Sequence, residues 1–259
     1  MRIATAQFNS VMGDVEANIG TMRTLIHDAA GQGARLVVFA ELAVTGYAMG
    51  PVAARPALWL DEDDSRLEPV RAACRGTGVA AVVNAVVRPG SAGGSGHSGH
   101  SGKGSGTAAG GRPGITSLVF GPAGELLSRY DKRNLHGVEK ELFEAGTADG
   151  RFTLDGIRFA LAVCYDNRFP EIAGRARADG CQVYLASSVL EEGNDSFETV
   201  YPVRARENGL VVALANHLGP SDAGDCPGES AIWGADGAML ATAGRKDPGL
   251  AVAELSLTS

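Results

Sequence analysis

Residues 157–171 read Ile157-Arg158-Phe159-Ala160-Leu161-Ala162-Val163-Cys164-Tyr165-Asp166-Asn167-Arg168-Phe169-Pro170-Glu171. The apolar run from Phe159 to Val163 has the length and the unbroken pattern of a strand buried on both faces, as in a parallel sheet. At Cys164 the run gives way to charged and aromatic residues. Pro170 and Glu171 then open a helix that reaches Ala178 and closes at Asp179-Gly180. A strand feeding a helix is the repeating unit of an α/β fold. In such folds ligands gather at the carboxyl ends of strands, and that is where this stretch delivers a thiol. A strand cysteine is more often core packing, so the rest of the chain must decide what Cys164 is for.

Outward from this stretch the same grammar repeats. Arg2 to Phe8 alternates as a strand, Asp14 caps a helix, and Ile19, Met22, Leu25, Ile26 and Ala29 recur at helical spacing until Gly31 and Gly33. Leu36 to Phe39 is a second short buried strand, and it runs into Ala40-Glu41-Leu42. Tyr47 to Asp64 is irregular, a helix is expected from Ser65 to Arg75, and Val79 to Val87 is a strand broken by Asn84. Ile115 to Phe120 and Glu125 to Tyr130 are strands joined by a Pro-Ala-Gly turn, and the second ends at Asp131-Lys132. After Cys164 come a strand over Gln182 to Ala186, a helix over Ser196 to Asn208 capped by Asn194 or Asp195, and a strand over Leu210 to Ala215. Ala231 to Trp233, Ala238 to Thr242 and Leu250 to Leu255 are expected to close the chain as an antiparallel meander. One domain over residues 1–259 accommodates these elements. A Gly/Ser-rich insertion at about 89–113 is expected to be a flexible surface loop, because such a composition buries too little apolar area to order itself. His97 and His100 lie in it without carboxylate or cysteine neighbours, so no metal is expected there.

Composition narrows the function classes. The formal net charge is −7 and no Lys/Arg cluster appears, which argues against nucleic acid as a partner. The N-terminus lacks a signal peptide's apolar core, and no apolar run approaches the roughly 18 residues of a membrane span. Cys74, Cys164, Cys181 and Cys226 have no C-x-x-C spacing, which suits free thiols in a reducing compartment. A cytoplasmic protein with neither nucleic acid nor membrane as partner is expected.

An acid, a lysine and a cysteine thus stand at three strand ends. A resting thiol is a weak nucleophile, and Glu41 could serve as its base. Attack on a carbonyl or nitrile carbon builds negative charge that the Lys132 ammonium and a backbone N–H could stabilise.

These residues lie in three blocks: Phe39-Ala40-Glu41-Leu42-Ala43-Val44-Thr45-Gly46-Tyr47, Tyr130-Asp131-Lys132-Arg133-Asn134-Leu135, and Cys164-Tyr165-Asp166-Asn167-Arg168-Phe169-Pro170-Glu171. In this order they resemble the nitrilase superfamily of carbon-nitrogen hydrolases, specifically its amidase-like branch. The resemblance extends to the opening A-x-x-Q strand, Arg204 to Asn208 and Gly228-Glu229-Ser230, and the long glycine-rich loop is the main departure.

The resemblance implies a four-layer αββα sandwich, a homodimer or higher homo-oligomer, and neither metal nor organic cofactor. It implies Cys164 as the nucleophile that forms a thioester, Glu41 as general base, and Lys132 with the Tyr165 N–H as the cradle for the tetrahedral intermediate. A second glutamate after the lysine is expected at Glu139, with Glu141 as the alternative. Tyr47, Tyr165, Arg168 and Ser187 are candidate substrate contacts, and residues 47–64, 134–145 and 187–197 are the expected pocket walls. Arg168 is alternatively the partner of Asp166 in an internal ion pair holding the cysteine loop. His136 and His217 are read as structural.

The implied activity is amide cleavage with release of ammonia. Hydrolysis of carbamoyl compounds or nitriles, transfer of the acyl group to an amine, and a non-catalytic binding role are the alternatives.

Overall fold

The computed structural model describes residues 1–89 and 111–255. In chain order the first half comprises β1 (Arg2–Gln7), α1 (Val15–Gly31), β2 (Ala34–Val38), α2 (Met49–Ala53), α3 (Glu68–Thr77), β3 (Ala80–Val87), β4 (Gly114–Phe120), β5 (Leu126–Asp131) and α4 (Glu139–Leu142). The second half comprises β6 (Gly150–Leu154), β7 (Ile157–Val163), α5 (Pro170–Ala178), β8 (Val183–Ser188), α6 (Ser196–Thr199), α7 (Tyr201–Asn208), β9 (Val211–Asn216), β10 (Leu218–Ser221), β11 (Gly224–Pro227), β12 (Ala231–Trp233), β13 (Met239–Thr242) and β14 (Gly249–Glu254).

Two six-stranded sheets carry the fold, ordered β14-β1-β2-β3-β4-β5 and β13-β12-β9-β8-β7-β6. β1, β2 and β3 are parallel in the first, and β7, β8 and β9 in the second. The strands of both trios are buried, as strands covered on both faces must be. Three apolar cores account for the layers. One lies between the sheets and includes Leu36, Val82, Ile115, Phe159 and Leu185. A second joins the first sheet to α1 and α3 through Ile19, Met22, Ile26 and Val70. The third joins the second sheet to α5 and α7 through Ile172, Ala176, Tyr201 and Ala205. Helix, sheet, sheet and helix therefore stack as the expected αββα sandwich.

The local rules that build the first unit are visible in α1. Asp14 caps it by accepting the Ala17 N–H at 3.0 Å, and its buried residues fall on one stripe.

Three readings of the sequence need correction. The closing strands are not one meander: β12 and β13 extend the second sheet, whereas β14 crosses to pair antiparallel with β1. The helix over 196–208 is two helices, broken at Val200, whose backbone leaves the helical range before Pro202, a residue with no N–H to continue the ladder. β6 and the hairpin β10–β11 were not anticipated. Both are short and rich in glycine, charge or proline, and they lack the apolar runs that mark the central strands. The glycine-rich insertion, with His97 and His100, lies outside the described residues over positions 90–110.

Candidate active site

The carboxyl ends of β2, β5, β7 and β8 meet at one side of the sandwich. β5 is antiparallel to β4, which is antiparallel to β3, so β5 points the same way as the parallel trio and its end reaches the same side. Glu41 follows β2, Lys132 follows β5, Cys164 follows β7, and Val189 to Glu191 follow β8.

Each position is held by its own supports. Past β2 the chain turns sharply at Leu42, whose φ is +50°, and the Leu42 N–H donates to Asn84 Oδ1 at 2.8 Å. Asn84 in turn donates to Ser117 Oγ at 3.1 Å. The polar residue that interrupts β3 is thus the strut of the Glu41 turn. Lys132 is fixed by its N–H to the Ile115 carbonyl at 2.8 Å and by its carbonyl to the Gly146 N–H at 2.9 Å. Cys164 begins a short 3-10 turn over Cys164–Arg168 with φ at +45°, a conformation that is costly for a side-chain-bearing residue and concentrates at functional sites.

Lys132 is wholly buried. Its Nζ donates to Glu41 Oε1 at 2.8 Å and to Glu139 Oε1 at 2.7 Å. Glu139 also accepts from the Tyr47 hydroxyl at 3.3 Å, and from the His136 N–H at 2.8 Å through Oε2. Glu141 is exposed and takes no part. Glu41 Oε2 is buried without a hydrogen-bond partner, the one unsatisfied oxygen of the cluster. The Cys164 thiol makes a long contact of 3.7 Å to the Val189 carbonyl.

Electrostatics follow from this burial. Desolvation pushes the Glu41 carboxyl up, the Lys132 charge pulls it back and the Glu139 charge raises it again, leaving it at about 7. The thiol adds a weaker lowering influence on Glu41, short of a hydrogen bond by geometry. Burial lifts the Cys164 thiol well above its ordinary range, as does the Glu41 charge, with Lys132 opposing. For Lys132 desolvation works against the ammonium, but Glu41, Cys164 and Glu139 outweigh it and hold the group charged.

Cys164, Lys132 and Glu139 face a cavity of about 690 Å³ whose lining also includes Tyr47, Tyr165 and Arg168. His136 lies against Tyr165 with ring centres 4.5 Å apart, and Tyr165 meets Phe169 edge-on at 5.4 Å. Ser187 does not line the cavity. It is a buried position on β8, paired with Val163 and Ala215, and the wall begins beyond the strand at Val189. Asn216 braces that wall, accepting the Leu190 N–H at 2.8 Å and donating to the Leu190 carbonyl at 3.2 Å. Arg168 does not pair with Asp166. Its guanidinium reaches Asp195 at 2.8 Å on the exposed rim. His217 is a packed residue, set between Ser10 and the Pro220 carbonyl.

Tyr201, Asn167, Asp222 and Ala223 also line the cavity and were missed by sequence reasoning. Tyr201 sits at the start of α7, where its hydroxyl pairs with Ser188 at 2.8 Å, and the signal for the break that puts it there is Pro202 inside the expected helix. Asp222 and Ala223 come from the unanticipated hairpin. Among the described residues there is no group of three or more His, Cys, Asp or Glu side chains placed to hold a metal. The four cysteines are free, and among the described residues no helix is long and apolar enough to cross a membrane.

Comparison with known proteins places this arrangement in context. The chain is 31% identical over 145 residues to a 2-oxoglutaramate amidase of Bacillus subtilis, covering 55% of this chain and 56% of that protein. It is 32% identical over 149 residues to an omega-amidase of Homo sapiens, covering 51% and 52%. The chain thus spans about half the length of these curated relatives. Among solved structures, the NitN amidase of Nesterenkonia sp. AN1 superposes with a TM-score of 0.83 at 30% identity, covering 98% of this chain and 92% of that one. A mutant of the same amidase, showing covalent addition of the acetamide moiety of fluoroacetamide at the active-site cysteine, also gives 0.83, at 29% identity over 98% and 90%. The carbon-nitrogen hydrolase family model matches residues 2–259, so the chain belongs to the carbon-nitrogen hydrolase family.

Proposed function

We propose that the protein is a cysteine-dependent amidase that hydrolyses a small carboxamide to its acid and ammonia. The observation that carries this reading is a cavity lined by Lys132, Glu139 and a thiol at a strained strand end, with the buried Glu41 bonded to Lys132 behind it. The amidases among its relatives and structural neighbours support it from outside.

Chemistry follows from the charges. The resting thiol holds its proton, so attack requires a base, and Glu41 at about 7 is matched to neutral pH. Glu41 takes the thiol proton as Cys164 Sγ bonds to the amide carbon. The carbonyl oxygen becomes an oxyanion held by the Lys132 ammonium and the Tyr165 N–H. Collapse breaks the C–N bond, and the proton from Glu41 leaves with ammonia. The remaining thioester is opened by a water whose proton Glu41 accepts, which releases the acid and returns the thiol. Glu139 gives the Lys132 ammonium a second anchor beside Glu41 and keeps it aimed.

A panel of small carboxamides, carbamoyl amino acids and nitriles, assayed for ammonia and acid, tests the proposal. Ammonia with one equivalent of acid from carboxamides is expected. Turnover of nitriles or carbamoyl compounds alone, or product only when an amine is added, would replace amide hydrolysis with one of the other reactions. The homodimer implied by the family resemblance is part of the same proposal and is read by light scattering of the purified chain.

A further inference from the structure

Glu41 and Lys132 belong to the first sheet, and Cys164 to the second. Their chemistry therefore depends on how the sheets are registered at this edge, which directional hydrogen bonds fix more sharply than non-directional apolar burial. We propose that Asp166 is the positioning residue that locks the Cys164 turn to the Lys132 strand end. This inference rests on the reading of Cys164 as nucleophile and Lys132 as its cation.

Asp166 is fully buried, and its two oxygens accept four hydrogen bonds. Oδ1 takes the Asn134 N–H at 2.8 Å and the Asn134 side-chain amide at 2.9 Å. Oδ2 takes the Tyr130 hydroxyl at 2.7 Å and the Val163 N–H at 3.0 Å. Tyr130 and Asn134 lie two residues to either side of Lys132, and Val163 immediately precedes Cys164. One carboxyl group thus grips the lysine segment from both sides and the cysteine turn at its root. The other bonds of the turn stay within the second sheet and its helices: Asn167 donates to the Cys164 carbonyl at 2.8 Å, and Arg204 donates to the Asn167 carbonyl at 3.1 Å. The positive φ of Cys164 persists only if its surroundings over-determine it, and the bond from Val163 to Asp166 is part of that constraint.

The chemistry of the four donors makes the site selective for a carboxyl group that accepts at both oxygens. Asparagine accepts at one. With its oxygen toward Asn134, its NH₂ faces the Tyr130 hydroxyl, which can turn to accept, and the Val163 N–H, which cannot. Asp166→Asn therefore releases the residue next to Cys164 while keeping size and most of the packing.

The test compares Asp166→Asn with Leu25→Ala, a core truncation in α1 that lowers stability far from the cavity. With the best amide from the panel, Asp166→Asn is expected to lower kcat about 100-fold with KM changed less than about threefold, since small misplacement of reacting groups costs that much. Alkylation of Cys164 by iodoacetamide, read by peptide mass and needing no known substrate, should slow by about tenfold or more in Asp166→Asn and stay near wild type in Leu25→Ala. If Asp166→Asn fails to fold, Tyr130→Phe and Asn134→Ala each remove donors from the clamp, and both are expected to lower kcat and alkylation with KM nearly unchanged. Clamp variants with kcat and alkylation within about twofold of wild type, even at reduced melting temperature, would overturn the proposal and leave Asp166 merely structural. Failure of the amidase reading is distinct: Cys164→Ala would then still release ammonia, whatever the Asp166 variants do.

Discussion

Glu139→Gln isolates the part of the cluster that sets the pH of catalysis. The two carboxylates share the Lys132 ammonium through contacts of 2.8 and 2.7 Å, so their Oε1 atoms lie no more than about 5.5 Å apart. At an effective dielectric constant of ~20, two like charges at that distance repel by about 3 kcal/mol, or about two pK units. The ammonium between them screens part of this, so about one unit is the expected shift. Glu139 raises the Glu41 carboxyl, and replacing its charge with a neutral amide must lower it. In the wild type, kcat/KM should fall as pH drops below about 7, because Glu41 must be ionised to accept the thiol proton. In Glu139→Gln that acid limb should move to about 6, although the plateau falls because Lys132 is less well held. The assay is kcat/KM from pH 5 to 9 with a neutral amide as substrate. An acid limb that stays in place, or moves to higher pH, would refute the assignment of the base and of the charge that tunes it.

Other perturbations have equally definite signs. Glu41 carries a folded-state pKa above its unfolded value, so the folded protein binds the extra proton between about 4.5 and about 7, and this group's contribution to stability falls as pH rises through that window. Lys132→Met removes the charge that offsets this. Stability in urea should then drop by about 3–5 kcal/mol at pH 8 and by much less at pH 5.5, where Glu41 takes up its proton; an equal loss at both would contradict the electrostatic account. Gly150→Ala would set a Cβ 2.7 Å from Tyr130 Cβ of the first sheet and 2.8 Å from Leu161 Cβ of its own sheet, pressing β6 away from both neighbours. A cost of about 1–3 kcal/mol is expected in denaturant unfolding, and no change would mean that the sheets yield there freely.

The central strands, and the placing of Glu41, Lys132 and Cys164 just past strand ends, were legible because each is announced by a local signal. Phe159 to Val163 is too apolar to be anything but buried, and Cys164 marks the point where it stops; Glu41 lies three residues past the buried strand β2, and Lys132 directly follows β5, a more polar, part-exposed strand. Asp166 shows the limit of this kind of reading. Its neighbour Arg168 looked like its natural partner from spacing alone, yet its actual partners are Tyr130, Asn134 and Val163, two of them more than thirty residues away and across the sheet interface. Ser187 failed for a simpler reason: β8 runs two residues further than its apolar pattern suggests, so the serine is spent on the strand and Val189 starts the wall. Asn84 looked like an interruption in β3 and proved to be the support of the Glu41 turn. Polar residues inside buried strands carry such information, but only the fold reveals which backbone they serve.

The covalent step is the centre of the account, and intact-mass spectrometry of acid-quenched turnover reads it directly. With a small carboxamide in excess, wild-type protein should carry the mass of one acyl group, mapping to the peptide that contains Cys164, and Cys164→Ala should carry none and release no ammonia. Ammonia release by Cys164→Ala, or an adduct that maps to Cys74, Cys181 or Cys226 instead, would contradict it.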